Sequence, residues 1–224
     1  ARKQKKLNNK VELSNLIKFS ASKKFVGVEF PFFRFFEHKK SVTALVNILK
    51  KNNQEYILDC EKQISKKEIL KLINISKSLK VKFVRVKCSN ILSCERYKYK
   101  KIWALKINSI INKINNIKPL LRKYKIKLAI ENHQDLDSCD LIYIIKKVGE
   151  KYVGVNFDVG NAFATCETPY NFFKKTKNYI LNIHLKDYLI LPSGKGFSLN
   201  RCPIMDGDSE ISKILALTEK YKIR

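Results

Sequence analysis

Three stretches of this sequence end an apolar run in groups that hold metal ions or move protons. They are "KLAIENH" (127–133), "VGVNFDVGNA" (153–162) and "ILNIHLKDY" (180–188). In an extended chain residues i and i+2 project to the same side, so Glu131 and His133 share a face at the end of their run. Glu131, Asp158 and His184 together offer two carboxylates and an imidazole. Carboxylate oxygens suit hard cations such as Mg²⁺ and Mn²⁺, and imidazole suits transition ions, Co²⁺ and Zn²⁺ among them. An ion so held can polarise a substrate carbonyl and steady the enediolate left when a neighbouring C–H proton is removed. A carboxylate beside it can take that proton. Any one of these residues alone reads more simply as a helix cap or a partner for a surface lysine. Three of them on successive runs, each with a second polar residue beside it, favour a metal site.

The elements that must position them are legible in the alternation of the chain. Short β-rich runs, "FVGVEF" (25–30), "EYILDC" (55–60), "KFVRVKC" (82–88), "IKLAIEN" (126–132), "YVGVNFD" (152–158) and "ILNIHLKD" (180–187), alternate with longer helical segments. Their nearly continuous apolar character suits parallel strands covered by helices. Amphipathic spacing predicts helices over 41–53, 66–80 and 98–124, the last with Ile102, Leu105, Ile110, Ile114, Ile117 and Leu121 on one stripe. Start signals at Ser138, at Thr168-Pro169 and at Asp208 or Ser209 open three later helices. Strand–helix repetition implies a parallel sheet, open or closed into a (β/α) barrel. No G-x-G-x-x-G or Walker loop follows any run, which removes the commonest reason for an open nucleotide-binding sheet. In a barrel, catalytic groups sit at strand carboxyl ends. Here those ends read Glu29, Asp59, Lys87, Glu131 with His133, Asp158, and His184 with Lys186 and Asp187.

Composition sets bounds on the function. The 224 residues hold 7 Gly and 5 Pro, scattered, with no linker, so a single domain over 1–224 is expected. The formal charge of +26 invites a nucleic-acid reading. However, the 46 basic residues divide into 39 Lys and 7 Arg, in a chain also crowded with Ile and Asn. That skew follows from A/T-rich codons, and the lysines are spread as solvated helix faces would be. Nucleic acid is not the expected partner, although such a field favours anionic substrates. No apolar run is long enough to span a bilayer, and the basic opening has no apolar segment behind it. Six irregularly spaced cysteines read as free thiols. A cytoplasmic protein, with a homo-oligomer compatible, is the expectation.

In this order and at steps of about 26 residues, "LAIENH", "VGVNFDVGNA" and "ILNIHLKDY" resemble the strand-end motifs of the xylose-isomerase-like (β/α)₈ TIM barrels, the sugar phosphate isomerase/epimerase superfamily. The likeness runs from about residue 11 to 217. It implies that Glu131, Asp158 and His184 hold a divalent metal, and that Glu131 also serves as acid/base. It places His133, Asn161, Lys186 and Asp187 around the substrate. Asn161 stands where several relatives have a histidine. "NRCPIMDGDSEI" (200–211) resembles a family loop in which Arg201 would meet substrate oxygens, although Met205 replaces a usual glycine. Glu29 matches an acid on the family's second strand.

The resemblance also calls for two strands that the sequence does not provide. Only ten polar residues precede the helix at 11–23, and the chain stops just after the helix at 209–221. The family's second acid/base, a glutamate on the eighth strand, is therefore missing. The expectation is a fragment of a longer product, a barrel without its first and eighth strands, which by itself could be inactive. The implied activity is a metal-dependent isomerase or epimerase of a small sugar, sugar phosphate or hydroxy-keto acid. Rival readings are a dehydratase of the same superfamily, an abasic-site endonuclease-like enzyme, and a non-catalytic ligand-binding barrel. With only His38, His133 and His184, the chain is poor in the histidines a three-metal endonuclease site needs.

Overall fold

The computed structural model describes residues 13–31, 42–63, 65–79, 81–92, 95–194 and 196–223. Six strands, β1 (Gly27–Pro31), β2 (Glu55–Gln63), β3 (Phe83–Lys87), β4 (Lys127–Glu131), β5 (Val153–Asp158) and β6 (Ile180–His184), form one sheet. They lie side by side in sequence order and every pair is parallel. Helices α1 (Leu13–Ser22), α2 (Val42–Lys51), α3 (Lys66–Leu79), α4 (Trp103–Tyr124), α5 (Ser138–Val148), α6 (Pro169–Thr176) and α7 (Ile211–Lys220) supply the crossovers and flanks. The sheet is curled. Glu29 of β1 accepts hydrogen bonds from Asn182 at 3.1 Å and meets His184 at 3.1 Å, although β1 and β6 are its two outermost strands. The arrangement is an incomplete TIM barrel. The expected lack of a strand before α1 falls on residues 1–12, outside the described residues. Among the described residues no strand follows α7.

The two faces of the sheet differ in chemistry. Leu58, Val84, Val86, Leu128, Ile130, Val155 and Phe157 are buried in one apolar core with Leu72, Ile114, Ile117, Ile144 and Phe172 of the surrounding helices. Phe157 stacks on Phe172 with ring centroids 4.9 Å apart. The alternate residues, Glu29, Asp59, Arg85, Glu131, Asn156, Asp158, Asn182 and His184, hydrogen-bond or ion-pair with one another or with Lys186 on the concave side. The runs thus alternate more strictly than their apolar look suggests. Most barrels fill this space with branched apolar side chains; here much of it is polar.

Several boundaries differ from the sequence reading. The cap of α5 is Asp137, in a reciprocal capping box with Asp140, and Ser138 is the first helical residue. Thr168 caps α6 as expected, whereas α7 begins after Glu210 in a left-handed conformation. Residues 95–102 form a 3₁₀ turn ahead of α4 that ends in the exposed Ile102; Leu105, inside α4, is also exposed, and the buried stripe starts at Ile107. The run 180–187 breaks after His184. Asp187 opens a separate antiparallel hairpin, β7 (Asp187–Ser193) with β8 (Gly196–Cys202). Five cysteines among the described residues are free thiols. None of the described helices is long and apolar enough to cross a membrane.

One loop ties the sheet's carboxyl end to its surroundings. Arg96 pairs with Asp137 at 2.9 Å and Asp140 at 3.0 Å and lies over the Trp103 ring. Ser89 donates to Asp135 at 2.5 Å, and the Leu136 N–H to the same carboxylate at 2.9 Å. Burial nonetheless outweighs these bonds and pushes the Asp135 carboxyl up to about 6. A raised carboxyl binds its proton more tightly when folded, so its contribution to stability is lost as pH climbs from about 4 to about 6. Asp135→Asn should therefore flatten the stability profile over that window by about 2 to 3 kcal/mol. Urea unfolding midpoints of the chain and the variant, taken below and above the window, check it.

Candidate metal centre

Strand register brings the three ligand candidates together. Ile130 pairs with Val155 and Glu131 with Asn156, while Asp158 pairs with His184, so the ends of β4, β5 and β6 rise together. Asn132 locks the first two: its side-chain oxygen accepts the Asp158 N–H at 2.8 Å and its amide donates to the Asp158 carbonyl at 3.0 Å. One donor atom from each of Glu131, Asp158 and His184 lies within 4.8 Å of the others. Glu131 and Asp158 are buried, and His184 is half-buried.

Charge compensation shapes this group. Arg85, only 7% exposed, bridges Asp59 at 2.5 Å on one side and Glu131 on the other. Burial pushes the Glu131 carboxyl up to about 7; Arg85 opposes this and the Asp158 charge adds to it. Such a carboxyl can both take and return a proton near neutrality. Burial alone would lower the His184 pKa, but its hydrogen bond to Glu29 and the charges of Glu29, Glu131 and Asp158 hold it above the usual value. In its neutral form His184 has both nitrogens engaged. Asn182 donates to the Asn156 oxygen at 2.7 Å, which turns the Asn156 amide N–H toward His184 Nδ1 at 3.3 Å and leaves Nε2–H for Glu29.

The other expected site residues divide into two groups. Lys186 reaches Asp158 Oδ2 at 2.5 Å and Asn161 Oδ1 at 3.1 Å, and Asn161 is buried. His133 stands by the same group. Burial first, and then Lys87, Arg85 and Lys186, lower its pKa to about 4, so it is neutral near pH 7. Asp187 lies elsewhere in role: its carboxylate accepts the N–H groups of Tyr188, Met205, Gly207 and Ser209. Those bonds, working against burial, keep it below the usual carboxylate range. It staples the 203–209 loop to the hairpin instead of facing the three ligands. Arg201 is exposed on β8, opposite Tyr188. The sequence reading missed Arg85, Asn156 and Asn182. The signal was there, since each sits two residues before Lys87, Asp158 or His184 and so shares its face.

The donor set fits a divalent ion. Asp158 Oδ1 is fully buried with no hydrogen-bond partner, an arrangement that costs free energy unless a cation or donor meets it. Two carboxylates and an imidazole at this spacing match ions that accept mixed oxygen and nitrogen ligands. An ion would compete with Lys186 for Asp158 and with Glu29 or Asn156 for His184.

Comparison with known proteins agrees with this fold. Residues 25–218 match the family described as xylose isomerase-like TIM barrel. The chain is 24% identical over 91 residues to the 3-oxo-isoapionate decarboxylase of Pectobacterium atrosepticum; that stretch is 40% of this chain and only 33% of the relative. The crystal structure of the probable 3-DHS dehydratase AsbF from Bacillus anthracis superposes with a TM-score of 0.77 at 13% identity, over 96% of this chain and 86% of that one. The apo 3-keto-D-glucoside 4-epimerase YcjR of E. coli gives 0.75 at 8% identity, over 99% and 87%. At these identities the structures show likeness of fold.

Competition by Lys186 gives the site a testable signature. Lys186→Met removes the ammonium from Asp158 and should tighten Mn²⁺ binding by about ten-fold. Asp158→Asn and His184→Ala should weaken it by at least as much. Calorimetric titration with Mn²⁺ measures all three; looser binding in Lys186→Met would contradict the competition.

Proposed function

Because the chain belongs to the xylose isomerase-like TIM barrel family, we propose that it carries the metal-binding and proton-transfer half of an isomerase or epimerase. Its substrate would be a small sugar, sugar phosphate or hydroxy-keto acid. The observation that carries this reading is the convergence of Glu131, Asp158 and His184 at one end of the sheet. The epimerase name of one structural neighbour supports it.

Glu131, Asp158 and His184 would hold the divalent ion, whose chemistry is Lewis-acid stabilisation of negative charge on a substrate oxygen. Glu131 takes the proton from the carbon beside the carbonyl. Its Oε2 lies against Arg85, so Oε1 is the oxygen left to face both the ion and the substrate. The buried setting that lifts its pKa to about 7 lets it hold the proton and hand it back. Return to the adjoining carbon, with the hydroxyl proton passing from one substrate oxygen to the other, gives an isomer. Return to the opposite face, giving an epimer, needs a second acid. Glu29, bonded to His184 from the far strand, is the described carboxylate that could serve. Lys186 and Asn161 orient substrate hydroxyls once Lys186 leaves Asp158, and His133 donates or accepts as a neutral imidazole. Arg201, on β8, and the 203–209 loop that Asp187 holds by its backbone would border the substrate. A dehydratase starts from the same proton abstraction and differs only in expelling a hydroxyl afterwards, so product identity separates the two.

The test is deuterium exchange from solvent into a panel of ketoses, ketose phosphates and hydroxy-keto acids, followed by NMR at saturating Mn²⁺. Exchange should require the ion. It should fall by on the order of 10²- to 10⁴-fold in Glu131→Gln even when metal is saturating. Near-normal exchange in that variant would leave Glu131 as a ligand at most.

A further inference from the structure

The cations around the site are not equally compensated. Arg85 is spent on Asp59 and Glu131, and Lys186 on Asp158. Lys87 is different. It ends β3, two residues beyond Arg85 and so on the same concave face. The pairing of Val86 with Ile130 sets it level with Glu131. It is half-buried, yet no carboxylate among the described residues pairs with it. A half-buried ammonium without an acid is costly, and it repels the divalent ion the site would hold.

Two further groups next along the strand ends also have hydrogen-bonding capacity to spare. His133, past the end of β4, feels Lys87 more strongly than any other charge, and its Nδ1 is buried without a partner. Asn161, in the turn after β5, is 1% exposed. Its oxygen accepts from Lys186 at 3.1 Å and from Gln134 at 3.4 Å, which fixes the amide orientation. The amide nitrogen is left buried with no acceptor. Lys87, His133 and Asn161 therefore follow one another on the ends of β3, β4 and β5, beside the ligands on β4, β5 and β6.

We propose that Lys87, His133 and Asn161 form an oxyanion subsite that takes the carboxylate or phosphate end of the substrate. This rests on the isomerase or epimerase reading above and narrows it: the substrate is an acidic hydroxy-ketone and a neutral sugar is a poor one. Carboxylate and phosphate oxygens both accept from an ammonium and an amide N–H, and a charge-assisted bond supplies the selectivity. The overall charge of +26 would draw such anions in but cannot sort them, because spread lysines act on all anions alike.

Three hydroxy-ketones that differ only at one end provide the probes: dihydroxyacetone is neutral, hydroxypyruvate ends in a carboxylate, and dihydroxyacetone phosphate in a phosphate. Each is titrated by ligand-observed NMR into the 224-residue chain, with Mg²⁺ and with EDTA. At least one anionic ligand should bind about ten-fold or more tighter than dihydroxyacetone, and the preferred one names the anion. Lys87→Met should erase that preference, Lys87→Arg should keep most of it, and Lys146→Met, on the exposed face of α5, should leave it intact. Equal binding of all three ligands, no saturable binding of either anion with Mg²⁺, or an equal loss in Lys146→Met would overturn the subsite. The metal reading fails separately: an anion preference that survives while Mg²⁺ changes no affinity would sink the metal site and leave the subsite standing.

Discussion

Taking the carboxylates of Glu131 and Asp158 out of water costs several kcal/mol each unless positive charge is brought to them. Arg85 meets Glu131 and Asp59, Lys186 meets Asp158, and Glu29 meets His184 from across the sheet. The rest of the architecture follows from keeping those partners in reach. Strands must be parallel and in register for the side chains of β2, β3 and β4 to meet in line. The sheet must curl for β1 to reach β6. The apolar core then lies between sheet and helices, where Leu58, Val86, Ile130 and Phe157 face Leu72, Ile114, Ile144 and Phe172.

The same pairing would have to change for the proposed ion to bind. Lys186 occupies Asp158 with the geometry of a strong charge-assisted bond. Asp158 Oδ1 and the Asn161 amide wait without partners. A divalent ion entering here would satisfy the first, release Lys186, and turn a compensated pair into ligands and a free ammonium. Coupling of that kind would join metal binding to the orientation of Lys186 and Asn161. Asp187, by contrast, has all its capacity taken by four backbone N–H groups, and its part is to fix the hairpin and the loop after it.

Much of this was legible in the chain. Strand–helix alternation and acids or histidines at run ends were enough to place the parallel sheet and bring Glu131, Asp158 and His184 to one end. What stayed hidden depended on contacts between strands. "FVRV" looks like an ordinary buried strand, and only its neighbours show that Arg85 is neutralised on both sides. Glu29 and His184 are far apart in sequence, so their contact is a consequence of curl and leaves no local pattern. The end of β6 was misjudged because "ILNIHLKD" reads as one run by composition, whereas the strand ends at His184 and Asp187 opens the hairpin while its carboxylate accepts from the 203–209 loop. Ile102 was put on the expected stripe although it belongs to a 3₁₀ turn with different residue spacing, and Leu105 lies in α4 off the stripe that starts at Ile107.

The central claim is that these charges converge on a metal ion. Diffraction from crystals of the chain grown with Mn²⁺, recorded at the manganese absorption edge, tests it most directly. The account predicts an anomalous peak bounded by Glu131, Asp158 and His184, with Lys186 moved off Asp158. A chain saturated with Mn²⁺ whose peak lies elsewhere, with Lys186 still on Asp158, would contradict it.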